Sequence, residues 1–325
     1  MEKPKEKKWK WGVNRWIILG LVILSIIGSK LFSPITPHIQ LAAENLSQKP
    51  LLSNPFIGDI YLTNTLLAML IVDFIVLLIA FVVNRTLKQS NSNNNLVPRG
   101  FSGAIEAMFE ALYNLTESTA GKKWAKQIFP YFVTITLLVL VSNWMELIPG
   151  VDSIGLLAKA EHGYTVNQLS SNISILLNEE STHGGFHVIP FIRVLSTDLN
   201  FTVALALISV IMTQVIGIRA QGINYFTKYW NTKTLFNKPI FGVIDWGVGI
   251  LEVISEISKI LSFSFRLFGN IFAGSVMLFV IGALVPVLAQ SIFLGLEFFV
   301  GLIQALVFGM LTMVFMSQSV QSHGE

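Results

Sequence analysis

The chain contains no cysteine among its 325 residues, which excludes disulfides, thiolate metal sites and a cysteine nucleophile. Charge is scarce as well. Asp, Glu, Lys and Arg make up 13% of the residues, about half the roughly 25% usual in soluble domains. A soluble chain of this length could bury a large core, but it would still need a charged coat. Here 53% of the residues are hydrophobic and the mean hydropathy is +0.64, so lipid must cover much of the surface. The formal net charge of +3 does not mark a nucleic-acid binder. The basic residues lie in short connections, where they orient a membrane protein rather than grip phosphates. A Gly-rich loop ending in lysine that could cradle nucleotide phosphates is also missing, so no cofactor is expected.

What the sequence does have is a series of apolar runs long enough to cross about 30 Å of hydrocarbon. They cover residues 16–32, 62–83, 129–148, 199–218, 240–285 and 287–316. The fifth is too long for one perpendicular helix at about 1.5 Å per residue, and no charged loop divides it. It reads as one long, tilted or bent helix, followed at Pro286 by a turn and a second long helix. The expected fold is therefore an all-α polytopic membrane protein with five to six membrane-embedded helices, the last two forming a hairpin over 240–318. Residues 1–61 form a basic tail, an extra apolar anchor and a loop, and 62–325 form the main membrane domain.

Lysine and arginine bias orients the spans. Lys3, Lys5, Lys7, Lys8, Lys10 and Arg15 precede the first run; Arg85, Lys88, Arg99, Lys122, Lys123 and Lys126 lie between the second and third; Arg219, Lys228, Lys233 and Lys238 lie between the fourth and fifth. The segment 33–61 has only Lys49, and 149–197 has only Lys159 and Arg193. Both termini are thus expected on the cytoplasmic side of the cell membrane. The run 16–32 reads as a retained anchor; the alternative is a signal peptide, but no small-x-small site follows it closely. Residues 89–95 (QSNSNNN) read as a polar linker. After it Ile105, Met108, Phe109 and Leu112 fall on one helical face opposite Glu106, Glu110 and Glu117, an amphipathic helix lying on the membrane surface or against its own protein. His162, His183 and His187 in the outer loop lack matched carboxylates and are read as solvated side chains, so no metal site is expected.

In the fifth run Glu252, Glu256, Lys259, Ser262, Arg266 and Asn270 recur at steps of three or four and share a helical face. The stripe extends for roughly 27 Å. A charge at the centre of a spanning helix costs about 2.5–3.5 kcal/mol on insertion scales, so such residues face protein or water. Glu252, Glu256 and Lys259, nearer the cytoplasmic end, could pair with each other or snorkel. Arg266 stands among Phe263, Phe265, Leu267 and Phe268, with no acid on its own helix closer than Glu256. An arginine cannot deprotonate to escape, so its counter-ion must come from elsewhere. Glu297 and Gln304, seven residues apart, share a face of the sixth run; Asn143 and Glu146 end the third, Asp198 and Asn200 open the fourth, and Asp73 lies in the second. Asn143, Glu146, Asp198, Asn200, Ser275 and Glu297 fall toward the outer side, and Arg266 separates them from Glu252, Glu256 and Lys259. The pattern suggests two aqueous half-pathways with a cation between them.

The run 251–274, LEVISEISKILSFSFRLFGNIFAG, resembles subunit a of the F-type ATP synthases, the stator channel beside a rotating ring of c subunits. Ser-x-x-x-Arg-Leu-Phe-Gly-Asn at 262–270 is highly specific to that family. VPRGF at 97–101, NWMELIPG at 143–150, STDLNFTVALA at 196–206 and Gln304 follow in the family order, and the similarity covers about 96–318. The resemblance implies that Arg266 faces the essential carboxylate of each passing c subunit and blocks a direct leak. Asn270 and Gln304 would flank it, Glu146, Asp198 and Glu297 would line the outer path, and Glu252 and Glu256 the cytoplasmic one. It also implies protons as the ion, and the peripheral-stalk b subunits and remaining synthase subunits as partners, with no catalysis by this chain itself. Many bacterial members carry Glu where this chain has Ser275 and His where it has Glu297; here the acid stands on the other helix and the histidine is gone, so Glu297 would act without a Glu–His pair. A secondary transporter or another ion channel with an intramembrane Arg/Glu relay is the alternative. Inverted repeats, which a transporter should show, are not evident.

Overall fold

The computed structural model describes residues 11–31, 40–47, 49–55, 58–92, 101–148, 150–160, 163–170, 173–181, 184–229, 239–285 and 288–321. Among the described residues six α-helices carry the fold: α1 Trp11–Leu31, α2 Asn64–Ser92, α3 Phe101–Trp144, α4 Leu199–Gln221, α5 Pro239–Leu284 and α6 Leu288–Val320. Five helical stretches among the described residues, one on each of α2 to α6, are long and apolar enough to cross a membrane. The fold is the expected all-α, multi-pass kind, and the run 240–285 is indeed a single helix of 46 residues. Residues 286 and 287, where the sequence places the turn before the last helix, lie outside the described residues.

Two local expectations change. Gln89–Ser92 does not begin a linker, because α2 continues through Ser92. The surface helix and the third span form one stretch of helix, α3, broken only at Gly121, where φ is 75° and ψ 160°; a side chain would resist that positive φ. Before the kink, Ile105 is buried, and Phe109, Leu112 and Leu115 pack against a cluster built on Ile128, Phe132, Ile216, Met313 and Met316. Met108 instead stays 38% exposed. The apolar face of this helix therefore covers its own protein.

The chain divides into two compact units. The larger comprises residues 40–154, 190–272 and 299–325. Its main core joins Ile135 and Val139 of α3, Leu205 and Ala206 of α4, Phe263, Leu267 and Ile271 of α5, and Ala305 and Phe308 of α6. In lipid the hydrophobic effect does not drive helices together, so close approach and buried hydroxyls matter more. Gly309 of α6 lies so near α3 that a Cβ there would fall on Thr136 Oγ1. Ser209 of α4 and Thr312 of α6, both buried, share a hydrogen bond of 2.7 Å. A short hairpin, β1 Leu52–Asn54 with β2 Gly58–Ile60, precedes α2.

The smaller unit comprises residues 1–39, 155–189 and 273–298. It contains α1 and a four-stranded sheet that the sequence reading left as loop: β3 Gly155–Ala160, β4 Gly163–Ser170, β5 Ile173–Ser181 and β6 Gly185–Pro190, in the order β3-β6-β4-β5. The pair β4–β5 is antiparallel. Gly163 and Gly185 come so close that a Cβ on either would strike the backbone of the other. His162 and His183 lie outside the described residues.

Candidate functional site

The polar stripe of α5 runs along the seam between the packed and open sides of the helix. Phe263, Ser264, Leu267 and Ile271 point into the protein, whereas Ser262, Phe265, Arg266, Gly269 and Asn270 are exposed. Among the described residues Arg266 has no ion pair; its Nη2 donates to Ser262 Oγ at 3.2 Å, one turn earlier. A fixed guanidinium therefore stands open on an otherwise apolar helix, beside the exposed Asn270. Gln304 of α6 is half-buried.

The other end of the stripe is closed. Lys228, at the end of the 3-10 turn Gly222–Lys228, places its Nζ 2.5 Å from Glu252 Oε1 and 3.6 Å from Glu256 Oε1. Lys259 Nζ donates to Glu256 Oε1 at 2.9 Å and lies 4.7 Å from the Phe315 ring centroid, a cation–π contact. Tyr229 Oη donates within 3.3 Å of Glu256 Oε1 and 2.9 Å of Gln214 Oε1, and Tyr225 Oη donates to Gln214 Oε1 at 2.6 Å. Lys259 and Glu256 thus pair as the sequence allowed, but the partner of Glu252, Lys228, comes from outside the helix and reaches Glu256 as well. Sequence reasoning saw Lys228 only as a loop charge and missed Gln214, Tyr225 and Tyr229.

Where α3 ends and α4 begins, the polar residues serve largely as framework. Asn143, 2% exposed, accepts from Ser196 Oγ at 2.6 Å and donates through Nδ2 to the Gly301 carbonyl at 3.1 Å, tying α3 to α6. Asp198 caps α4 by accepting from the Asn200 backbone N–H at 2.9 Å, satisfying a donor that a helix start leaves free. The Asn200 side chain is exposed and Glu146 is half-buried. Nearby, Arg193 donates to the carbonyls of Gln40 and Ala42 and to Thr197. Burial pushes this guanidinium down from its ordinary value, opposed by Glu44, Asp198 and Asp152. Burial also raises the Asp152 carboxyl to about 6, with Arg193 pulling the other way.

In the smaller unit α5 and α6 bring Gly274 against Glu297. The carboxylate occupies the space a Cβ at Gly274 would need. Glu297 is 3% exposed and its Oε1 has no hydrogen-bond partner among the described residues. Ser275, next to Gly274 in the chain, is buried. A carboxylate oxygen of this kind is costly to leave unmatched, and it can accept a proton or a water molecule. Among the described residues no group of three His, Asp or Glu is placed to hold a metal.

Comparison with known proteins agrees with the motif. Residues 66–317, more than half of the chain, match the model of the family described as ATP synthase A chain, so the match begins earlier than the sequence motifs do. Among similar proteins, ATP synthase subunit a of a Nitratiruptor species is 27% identical over 182 residues, covering 56% of this chain and 59% of that protein. ATP synthase subunit a of Campylobacter fetus subsp. fetus is 28% identical over 197 residues, covering 60% of this chain and 66% of that protein. ATP synthase subunit a of Campylobacter concisus is 27% identical over 199 residues, 61% and 63% of the two chains. The chain thus spans about three-fifths to two-thirds of the length of these relatives. On the family match and the helix architecture together, this chain belongs to the ATP synthase A chain family.

Proposed function

We propose that this chain is the ion-translocating, non-catalytic stator subunit of a rotary ATP synthase in the cell membrane, with both termini cytoplasmic. Its ion is the proton, and its partners are a c-subunit ring, the peripheral-stalk b subunits and the remaining synthase subunits. The observation that carries this reading is Arg266, exposed on an apolar helix and hydrogen-bonded to Ser262. A guanidinium keeps its charge at any physiological pH, so it needs a carboxylate brought by another chain. A ring carboxylate arriving opposite Arg266 is favoured in its ionised form by the fixed positive charge, and so releases its proton on one side of the arginine and takes one up on the other. The same charge repels a proton that would pass straight through. Glu297, with Asn143, Glu146, Asp198, Asn200 and Ser275, belongs to the outer half-channel. Glu252, Glu256 and Lys259 belong to the cytoplasmic one, and Asn270 and Gln304 flank the cation.

The test is ATP-driven proton pumping in membrane vesicles carrying Arg266→Ala. Pumping is expected to vanish while the complex stays assembled. Lysine at this position should rescue poorly, since it lacks the planar fork and can lose its proton in a low dielectric. Acidification by the alanine variant at the wild-type rate overturns the reading.

A further inference from the structure

The stripe that carries Arg266 is gripped four turns away from it. Lys228 reaches from the turn after α4 to two successive carboxylates of α5, at 2.5 Å from Glu252 and 3.6 Å from Glu256. All three side chains are withdrawn from solvent, Lys228 being 22% exposed, Glu252 29% and Glu256 12%. The turn itself is seated by two glycines. A Cβ at Gly217 of α4 would collide with the Tyr225 ring, and one at Gly249 of α5 would collide with the Tyr229 carbonyl. Tyr225 and Tyr229 both anchor on Gln214 of α4, and Tyr229 also reaches Glu256. The contacts therefore run from α4, through the turn, to one edge of α5.

We propose that Lys228 is a positioning residue for the ion path: by holding Glu252 and Glu256 against the turn after α4, it fixes the rotation of α5 about its axis and hence the heading of Arg266. The helix lets such a grip act at a distance. Glu252 and Arg266 are 14 residues apart, roughly 21 Å along a helix, and 14 residues bring them nearly to the same face, so a rotation at one is carried to the other. Around Arg266 itself one face of α5 is seated in the core by Phe263, Leu267 and Ile271, while Phe265, Arg266, Gly269 and Asn270 on the other side are exposed, so the clasp adds a second hold at the far end of the stripe. Two carboxylates on adjacent turns converge on the one Lys228 Nζ, and Tyr229 gives Glu256 a second contact from the same turn, so this edge of α5 is held at more than one point. Ion pairs withdrawn from water hold geometry well even when their net contribution to stability is small.

The proposal rests on Arg266 being the ring-facing cation, and its test separates the two. Because the chain has no cysteine, Ser258→Cys and Leu261→Cys, both on the exposed side of α5 and about 60° apart around the helix, can each be cross-linked to a single cysteine in the ring of the intact complex. The ratio of the two yields reports the rotation of α5. Lys228→Met is expected to change that ratio and to lower pumping per assembled complex about tenfold, as small misplacements of a reacting group do. Lys228→Arg should keep both near wild type, and Lys228→Glu combined with Glu252→Lys should restore both in part. A general loss of stability would lower the amount of complex without shifting the ratio. Wild-type pumping by Lys228→Met, or lost pumping at an unchanged ratio, overturns the proposal. If the methionine variant does not assemble, failure of the exchanged pair to restore assembly overturns it as well. Pumping by Arg266→Ala in the same membranes would overturn the ring-facing reading instead, and leaves the ratio readable.

Discussion

Glu297 and Gly274 are a matched pair: one places a carboxylate in the space the other leaves by having no side chain. On the proposed reading the buried carboxylate, with one oxygen lacking a donor, takes the proton, whereas Ser275 can donate a hydrogen bond but cannot carry a proton on its own. Glu297→Gln keeps the size and removes titration, so passive proton flux through membranes stripped of the catalytic head should fall about a hundredfold, the low end of what an acid–base group usually contributes. Near-equal flux in the glutamine variant would leave Glu297 a filler. Gly274→Ala puts a methyl group on that carboxylate and should lower flux similarly. Ser275→Ala should be mild. The solitary acid at 297 of α6 did not require a structure to be seen. The need for glycine at 274 did, because it depends on two helices meeting rather than on anything local to either.

At the scale of elements, the joints between helices are made by small residues and hydroxyls. Gly309 meets Thr136 where α6 crosses α3, so Gly309→Ala should destabilise by about 1–3 kcal/mol, the usual cost of overpacking. Thr136→Ala in the same chain should relieve much of that. A denaturation series in detergent showing simple additivity of the two changes would refute the contact. The turn after α3 gives a pH-dependent case. The Asp152 carboxyl is raised by burial to about 6, above its value in an unfolded chain. A raised acid favours the folded form most fully below the unfolded value, and that favour is lost as pH climbs to about 6. Asp152→Asn should therefore leave stability little changed at about pH 4 and increase it at neutral pH by up to about 3 kcal/mol. A neutral-pH Tm at or below wild type would contradict this. Arg193, which binds the carbonyls of Gln40 and Ala42, showed in the sequence only as a sparse outer-loop charge.

The whole molecule was legible wherever the signal is local. Apolar runs of about 20 residues fix the spans, and the three- and four-residue steps from Glu252 to Asn270 give the stripe. The sheet was legible in part and overlooked: residues 163–169 (GYTVNQL) and 173–177 (ISILL) are rich in β-branched and apolar types, but they are too short to read as spans. The clasp at Lys228 was out of reach, since nothing along the chain says that residue 228 meets residues 252 and 256. Orientation across the membrane rests on loop charge and can be read directly. Lys123→Cys should react with a membrane-impermeant thiol reagent only from the cytoplasmic side, and Lys159→Cys only from the other. A reversed pattern would exchange the inlet and outlet sides of the path.

The four-stranded sheet has a consequence of a different sort. The Phe191 N–H donates to the Ile154 carbonyl at 3.0 Å, so the chain leaves for the sheet and comes back through a single narrow doorway. Once that doorway is closed, the length of polypeptide beyond it matters little to what lies before it, since the entropy of a loop rises only slowly with its size. Residues 155–189 share a compact unit with 273–298, so the sheet itself is kept, but added length within it is cheap: a small domain whose ends lie side by side could be inserted there to carry a fluorophore or an affinity handle.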